Sequence, residues 1–383
     1  MLADLHCHFP MHLLPEDKHP NPHVKSWFGR LRDEVQAWLV DIAARAASNE
    51  DWGSGWRISL DGLKEGDARL VCSVLYWPAD EFDLDTLEYD APPGPDYFPH
   101  LQHQLGYVEG KLADEDPDGT VHRIAKRGEP LDDDGRVTFV HCVEGGFHFG
   151  PDPTAVDDQV KWLADRGVVY ITVAHLFFRH VAAAAPAIPR ISDEEYEKLF
   201  HQDPGVGLTE IGRALVEAMY AHDVLVDVSH MRQDSIDETF ELIEQLDAQH
   251  GRKPPVIATH VGTRKVVADQ SYNLDAATIK RIADRDGLVG MIMAQHQMGE
   301  TATEDETRAL LKKHADAIAE AAGGHQCTAL GSDLDGFIKP TLAGIENAPD
   351  YAKLADWIGE LYPTDADAIL HGNARRVLGA VLA

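Results

Sequence analysis

Cysteine is scarce in this chain. Four occur in 383 residues (Cys7, Cys72, Cys142 and Cys327), and no two form a C-x-x-C pair. All four lie inside strand-like runs, so buried reduced thiols are expected rather than a disulfide framework. Cys7 and Cys142 fall near candidate ligands and are expected to point away from them. Positive charge is scarce too. Only 34 Lys and Arg stand against 65 Asp and Glu, leaving a net charge of −31. Such a surface repels phosphate backbones, so nucleic acid is not an expected partner. No run of about 18 apolar residues occurs, so no membrane-spanning helix is expected. The opening stretch MLADLHCHFP has neither a basic n-region nor a long apolar core. No signal peptide is read there, and a cytoplasmic location is expected. Internal repeats and low-complexity linkers are also missing.

What the chain does have is 44% hydrophobic content, enough for a large core. Eight short apolar runs read as strands, at about 2–7, 70–76, 137–142, 168–174, 224–229, 255–259, 287–293 and 328–332. Most are nearly continuous in Val, Ile and Leu, as for strands buried on both faces. Apolar spacing of three and four marks helices over 30–48, 155–165, 208–222, 234–249, 274–285 and 304–322, with Thr209 as a cap. Strand–helix alternation of this kind predicts an α/β fold, a (β/α)8 TIM barrel with insertions. The whole chain, 1–383, is read as a single metallohydrolase domain. An acidic insertion at about 78–135 holds one helix near 99–113. A rim loop at about 177–207 follows the fourth expected strand and is expected over the barrel mouth.

Chemistry gathers at the ends of these runs. His6 and His8 are two apart on the first strand and face one side, so both can bind one metal. Glu144 in VHCVEGG follows the third run, and its carboxylate can approach and bridge two ions. His175 ends the fourth run, His230 the fifth and His260 the sixth; His230 and His260 are read as ligands. Imidazole and carboxylate suit zinc, and also manganese, iron or cobalt. Asp333 ends the last run in LGSDLDG and is assigned the proton-carrying role, with Asp335 read as a turn residue before Gly336. Two ions would activate a water and polarise a carbonyl. Asp333 would move the water's proton to the leaving nitrogen, and His175 would donate to the developing oxyanion.

These residues resemble the membrane (renal) dipeptidases of the amidohydrolase superfamily. VEGG around Glu144, YITVAH before His175, residues 207–230, VIATHVGTR around His260, LGSDLDG around Asp333 and GNARRVL at 372–378 are similar to family signatures. The resemblance implies a barrel with a two-metal site, usually zinc. Glu144 would bridge the ions, His230 and His260 would share the second, Asp333 would shuttle protons and His175 would contact substrate. It also implies dipeptides or related amides as substrates and a homodimer as assembly. Two positions depart from the pattern. The family's first strand reads His-x-Asp, whereas here it is His6-Cys7-His8. The family's carboxylate-gripping arginine before Asn-Leu is here Tyr272, in ADQSYNL. A tyrosine has no bidentate fork, and Arg264 and Lys265 are the nearest cations that could replace it. The expected function is therefore cleavage of a C–N bond in a small or dipeptide substrate. The alternatives are a lactone or ester hydrolase with Tyr272 lining its pocket, and a metal-binding barrel without catalysis.

Overall fold

The computed structural model describes residues 1–12, 57–81, 89–189 and 191–383. The helix expected over 30–48 lies outside these residues. Among the described residues nine strands form one parallel sheet: β1 (Leu2–Cys7), β2 (Ala68–Leu75), β3 (His122–Ile124), β4 (Val137–Glu144), β5 (Tyr170–Thr172), β6 (Leu225–Asp227), β7 (Val256–Val261), β8 (Leu288–Met291) and β9 (Thr328–Leu330). Their order is β1-β2-β4-β5-β6-β7-β8-β9, and β3 pairs with β4 off this path. Eight strands thus make the barrel. β3 is a three-residue addition from the acidic insertion, too short to leave a periodic signal.

The barrel closes by backbone hydrogen bonds from just beyond β9 to β1. Asp333 N donates to His6 O at 2.8 Å, and His8 N donates to Leu334 O at 3.0 Å. Every residue of β1, β4 and β7 is buried, which is why these runs read as continuously apolar rather than alternating. The helices Val156–Asp165, Glu210–Ala221, Gln233–His250, Ala276–Ala283 and Glu304–Ala322 cover the outside. The Thr209 side chain caps the second of these, accepting from Gly212 N. Within the insertion a helix spans Tyr97–Glu115. No helix among the described residues is long and apolar enough to cross a membrane.

The four cysteines are free and buried. Cys142, expected to point away from the site, does not. It lies two residues before Glu144 and so shares its face. Its thiol reaches Tyr170, whose hydroxyl is 3.0 Å from His6 Nδ1.

Candidate metal centre

Parallel strands carry their C-terminal ends to one mouth, and the candidate side chains meet there. His6 lies in β1 and His8 just beyond it; Glu144 is the last residue of β4, and His260 lies in β7. His175, His230 and Asp333 each follow a strand by three residues. The sheet register is irregular between Asp4 and Cys7 and between Ala258 and Val261. Those are the stretches that hold His6 and His260, and such irregularities re-aim side chains. His230 and Asp333 adopt left-handed backbone, with φ of 64° and 57°. This conformation is costly for a non-glycine residue and clusters at functional sites.

Glu144 is the centre of the cluster. Its Oε1 lies 3.2 Å from His6 Nε2, 3.4 Å from His230 Nε2 and 3.5 Å from His260 Nε2. Its Oε2 lies 3.2 Å from His8 Nε2 and 3.3 Å from His175 Nε2. Asp333 Oδ1 stands 3.2 Å from His8 Nε2. Gly336 makes room for it, since a Cβ there would fall 1.8 Å from Asp333 Oδ1. Two overlapping sets of ligand atoms share the glutamate: His6, His8 and Glu144, and Glu144, His230 and His260.

The hydrogen bonding of the cluster fits a cation. Both Glu144 oxygens and His6 Nε2 are buried without a hydrogen-bond partner. Beneath them, the Tyr170 hydroxyl donates to Leu5 O, and the Thr259 hydroxyl donates to the Asp227 carboxylate at 2.6 Å. Both hydroxyl oxygens are then left only as acceptors, so the His6 Nδ1 beside them carries its proton there. The same holds for His260, whose Nδ1 is 2.8 Å from Thr259 Oγ1. The Nε2 atoms of His6 and His260 therefore present lone pairs to a carboxylate. Lone pairs facing an anion in a buried site repel unless a cation lies among them. The donor set fits a nitrogen- and oxygen-binding metal.

Burial would raise the Glu144 pKa, but the imidazoles around it, His175 foremost, hold it well below the usual range. Burial disfavours charge on His8, yet Asp333 and Glu144 raise it to about 10. His230 and His260 are lowered, first by burial and then by neighbouring imidazoles.

Several supporting residues carried no sequence signal. Glu81, in the short helix Pro78–Glu81 of the acidic insertion, bonds His175 Nδ1 at 2.5 Å and accepts from the Tyr76 hydroxyl at 2.8 Å. His175 is thus held between Glu81 and Glu144. Burial works against its charge, but the two carboxylates prevail and raise its pKa. Asp227 falls within ligand distance of His6 and His260. Its oxygens are already engaged by Thr172, Ser229 and Thr259, so it orients ligands rather than serving as one. Asp335 accepts from the backbone N–H groups of Arg57 and Ile58, which ties the segment before the helix Leu60–Glu65 to the mouth.

The sequence-based candidates for substrate contact are placed differently. Tyr272 is buried. Its hydroxyl donates to His260 O at 2.8 Å, and its ring meets His230 edge-on, so it buttresses both histidines. Arg264 donates to Ser271 O within its own loop, and Lys265 pairs with Glu320.

The family described as membrane dipeptidase (peptidase family M19) matches residues 2–383. An uncharacterised protein of the pqqA 5′ region of Klebsiella pneumoniae is 28% identical over 144 residues, which cover 37% of this chain and 49% of that protein. The chain thus spans about half the length of this curated relative. Two solved structures share the fold. A metallopeptidase of family M19, dipeptidase AC, superposes with a TM-score of 0.67 at 19% identity, covering 90% of this chain and 95% of its own. A metallopeptidase from Rhodobacter sphaeroides, liganded with a phosphinate mimic of the dipeptide L-Ala-D-Ala, gives 0.65 at 19% identity and covers 98% of each chain.

Proposed function

Since the chain belongs to the membrane dipeptidase family, peptidase family M19, we propose that it is a metal-dependent hydrolase cleaving the C–N bond of a dipeptide or similarly small amide. The observation that carries this reading is the convergence of four histidine Nε2 atoms on both oxygens of Glu144 in a fully buried site, with the Nε2 atoms of His6 and His260 turning lone pairs toward them. His6, His8 and Glu144 would hold one ion, and Glu144, His230 and His260 a second. Zinc is the first expectation for both. When bound, the ions supply an acidified water and a polarised scissile carbonyl.

The chain's own residues do the rest. Asp333 Oδ1 faces the His6–His8 side and is placed to take a proton there and return it to the leaving nitrogen. His175 Nε2 points into the cluster with its other nitrogen tied to Glu81, so it can donate to an oxyanion without reorienting. The buried floor around Glu144 excludes bulk water and strengthens every charge interaction. Tyr272 brings no cation to the place where the family pattern has an arginine, and this favours a substrate gripped less by its carboxylate. A lactone or ester is the second reading on that ground.

The test combines metal analysis with a substrate panel. Dipeptides of L,L and L,D configuration, N-acyl amino acids and lactones would be assayed before and after chelation. Turnover of a dipeptide or amide, lost with chelator and restored by zinc, is the expected result. Full metal content with turnover only of lactones would shift the assignment to the second reading. Full metal content with no turnover at all would overturn both.

A further inference from the structure

We infer that the hydroxyl of Thr259 sets the metal-binding tautomer of one histidine in each half of the centre, that of His260 alone and that of His6 together with the Tyr170 hydroxyl, and so couples the occupancy of the two ions. This deepens the proposed function and rests on it. Thr259 Oγ1 has one proton and three polar neighbours. It lies 2.6 Å from Asp227 Oδ2, 2.8 Å from His260 Nδ1 and 3.1 Å from His6 Nδ1. The carboxylate cannot donate, so the hydroxyl proton goes to Asp227. Two lone pairs remain on Oγ1, which match the two imidazole N–H groups. Each imidazole then turns its Nε2 lone pair toward Glu144.

The arrangement is built to stay fixed. Asp227 is itself held by Thr172 Oγ1, Ser229 N, Ser229 Oγ and Thr259 N, so its acceptor atoms cannot swing away. Thr259 N–H also reaches Ser229 Oγ at 2.9 Å. The Thr259 carbonyl is enclosed by Gly290 and Gly331, where a Cβ would come within 2.0 and 1.9 Å of it. Only glycine at both places lets the neighbouring backbones approach this closely. Thr259, Asp227 and both histidines are fully buried, so water does not substitute for the hydroxyl. Outer partners of this kind are worth about 10–100-fold in metal affinity. Serving two ligands at once, Thr259 is a positioning residue whose loss weakens both half-sites together.

The experiment is zinc titration of metal-free wild type, Thr259→Val and Thr259→Ser, read by calorimetry and by metal content after gel filtration. Thr259→Val should lose about 10-fold or more in affinity for the ion on the His260 side and less, but measurably, for the ion on the His6 side, where the Tyr170 hydroxyl remains, while Thr259→Ser, which keeps the hydroxyl, should bind as wild type does. Wild-type affinity in the valine variant would overturn the inference, as would equal losses in the valine and serine variants. Wild-type protein that takes up no zinc would overturn the proposed function as well, which separates the two failures. If the valine variant does not fold, nitrogen-15 NMR of histidine-labelled, metal-free wild type decides the matter. Neutral His6 and His260 should both carry the proton on Nδ1, and a proton on Nε2 of either would overturn the inference.

Discussion

The two sides of Glu144 are built on different electrostatics. His6 and His8 face it together with a second carboxylate, Asp333, 3.2 Å from His8. His230 and His260 face it 2.9 Å from one another and buttressed by Tyr272, and the carboxylate near His260, Asp227, is engaged by Thr172, Ser229 and Thr259. In the metal-free protein the first side draws in a proton, with His8 raised to about 10, while His230 and His260 are pushed toward neutrality. The difference bears on the histidine at position 8, where the family pattern has an aspartate. The imidazole at that position brings no negative charge, and when no cation is present it binds a proton in the cation's place. One side must therefore release a proton before an ion can settle, and the other need not.

The strongest challenge to this comparison is Glu144→Gln, which removes the carboxylate common to both sides. Metal content should fall at both sides together, with turnover lost entirely; retention of one ion would show that one side stands alone. Asp333→Asn should separate the sides by function rather than occupancy. Turnover should drop by about 10²–10⁴-fold, the range for a general acid–base, while zinc content stays at the wild-type level. Loss of an ion would make Asp333 a ligand of the His8 side instead. Glu81→Gln should lower kcat by about 10–100-fold through a loosened His175, with zinc binding unchanged. An unchanged kcat would remove His175 from the reaction.

The smallest effects concern stability without metal, and their signs oppose. His8 has a raised pKa, so its contribution is fully present below about 6.5 and is lost as pH rises toward about 10. His260 has a lowered pKa, so its contribution is present above about 6.5 and is lost as pH falls. Melting temperatures of the metal-free protein over this range should show His8→Asn flattening the alkaline limb and His260→Asn the acid limb. Identical profiles for the two variants would refute the contrast.

Much of this architecture could be read from the chain. The barrel strands were legible because strands buried on both faces are apolar throughout, and a polar residue closing such a run stands out. His6, Glu144, His230, His260 and Asp333 all stand out in this way, and the structure brings them to one mouth. Glu81 was hidden for the opposite reason. It lies in an insertion crowded with carboxylates, where no local pattern separates one from another. Asp227 and Thr259 were obscured because Thr259 sits next to a candidate ligand and Asp227 three residues before one, and each reads as ordinary strand polarity. Their role depends on hydrogen bonds across strands that no spacing encodes. The orientation of Cys142 was open to a parity count from Glu144, and that count places it inward. Tyr272 could be found as a departure, but not that its hydroxyl is spent on the His260 carbonyl.

The seam that shuts the barrel has a consequence for biogenesis. His6 and Asp333 are joined by a backbone hydrogen bond, yet more than three hundred residues separate them in synthesis. A growing chain emerging from the ribosome carries His6 and His8 early and waits for their last neighbour until the final strand has been released. Contacts of such long range form late and slow the approach to the native state. Acquisition of activity would therefore follow synthesis of this last strand, and products truncated before it would remain inert.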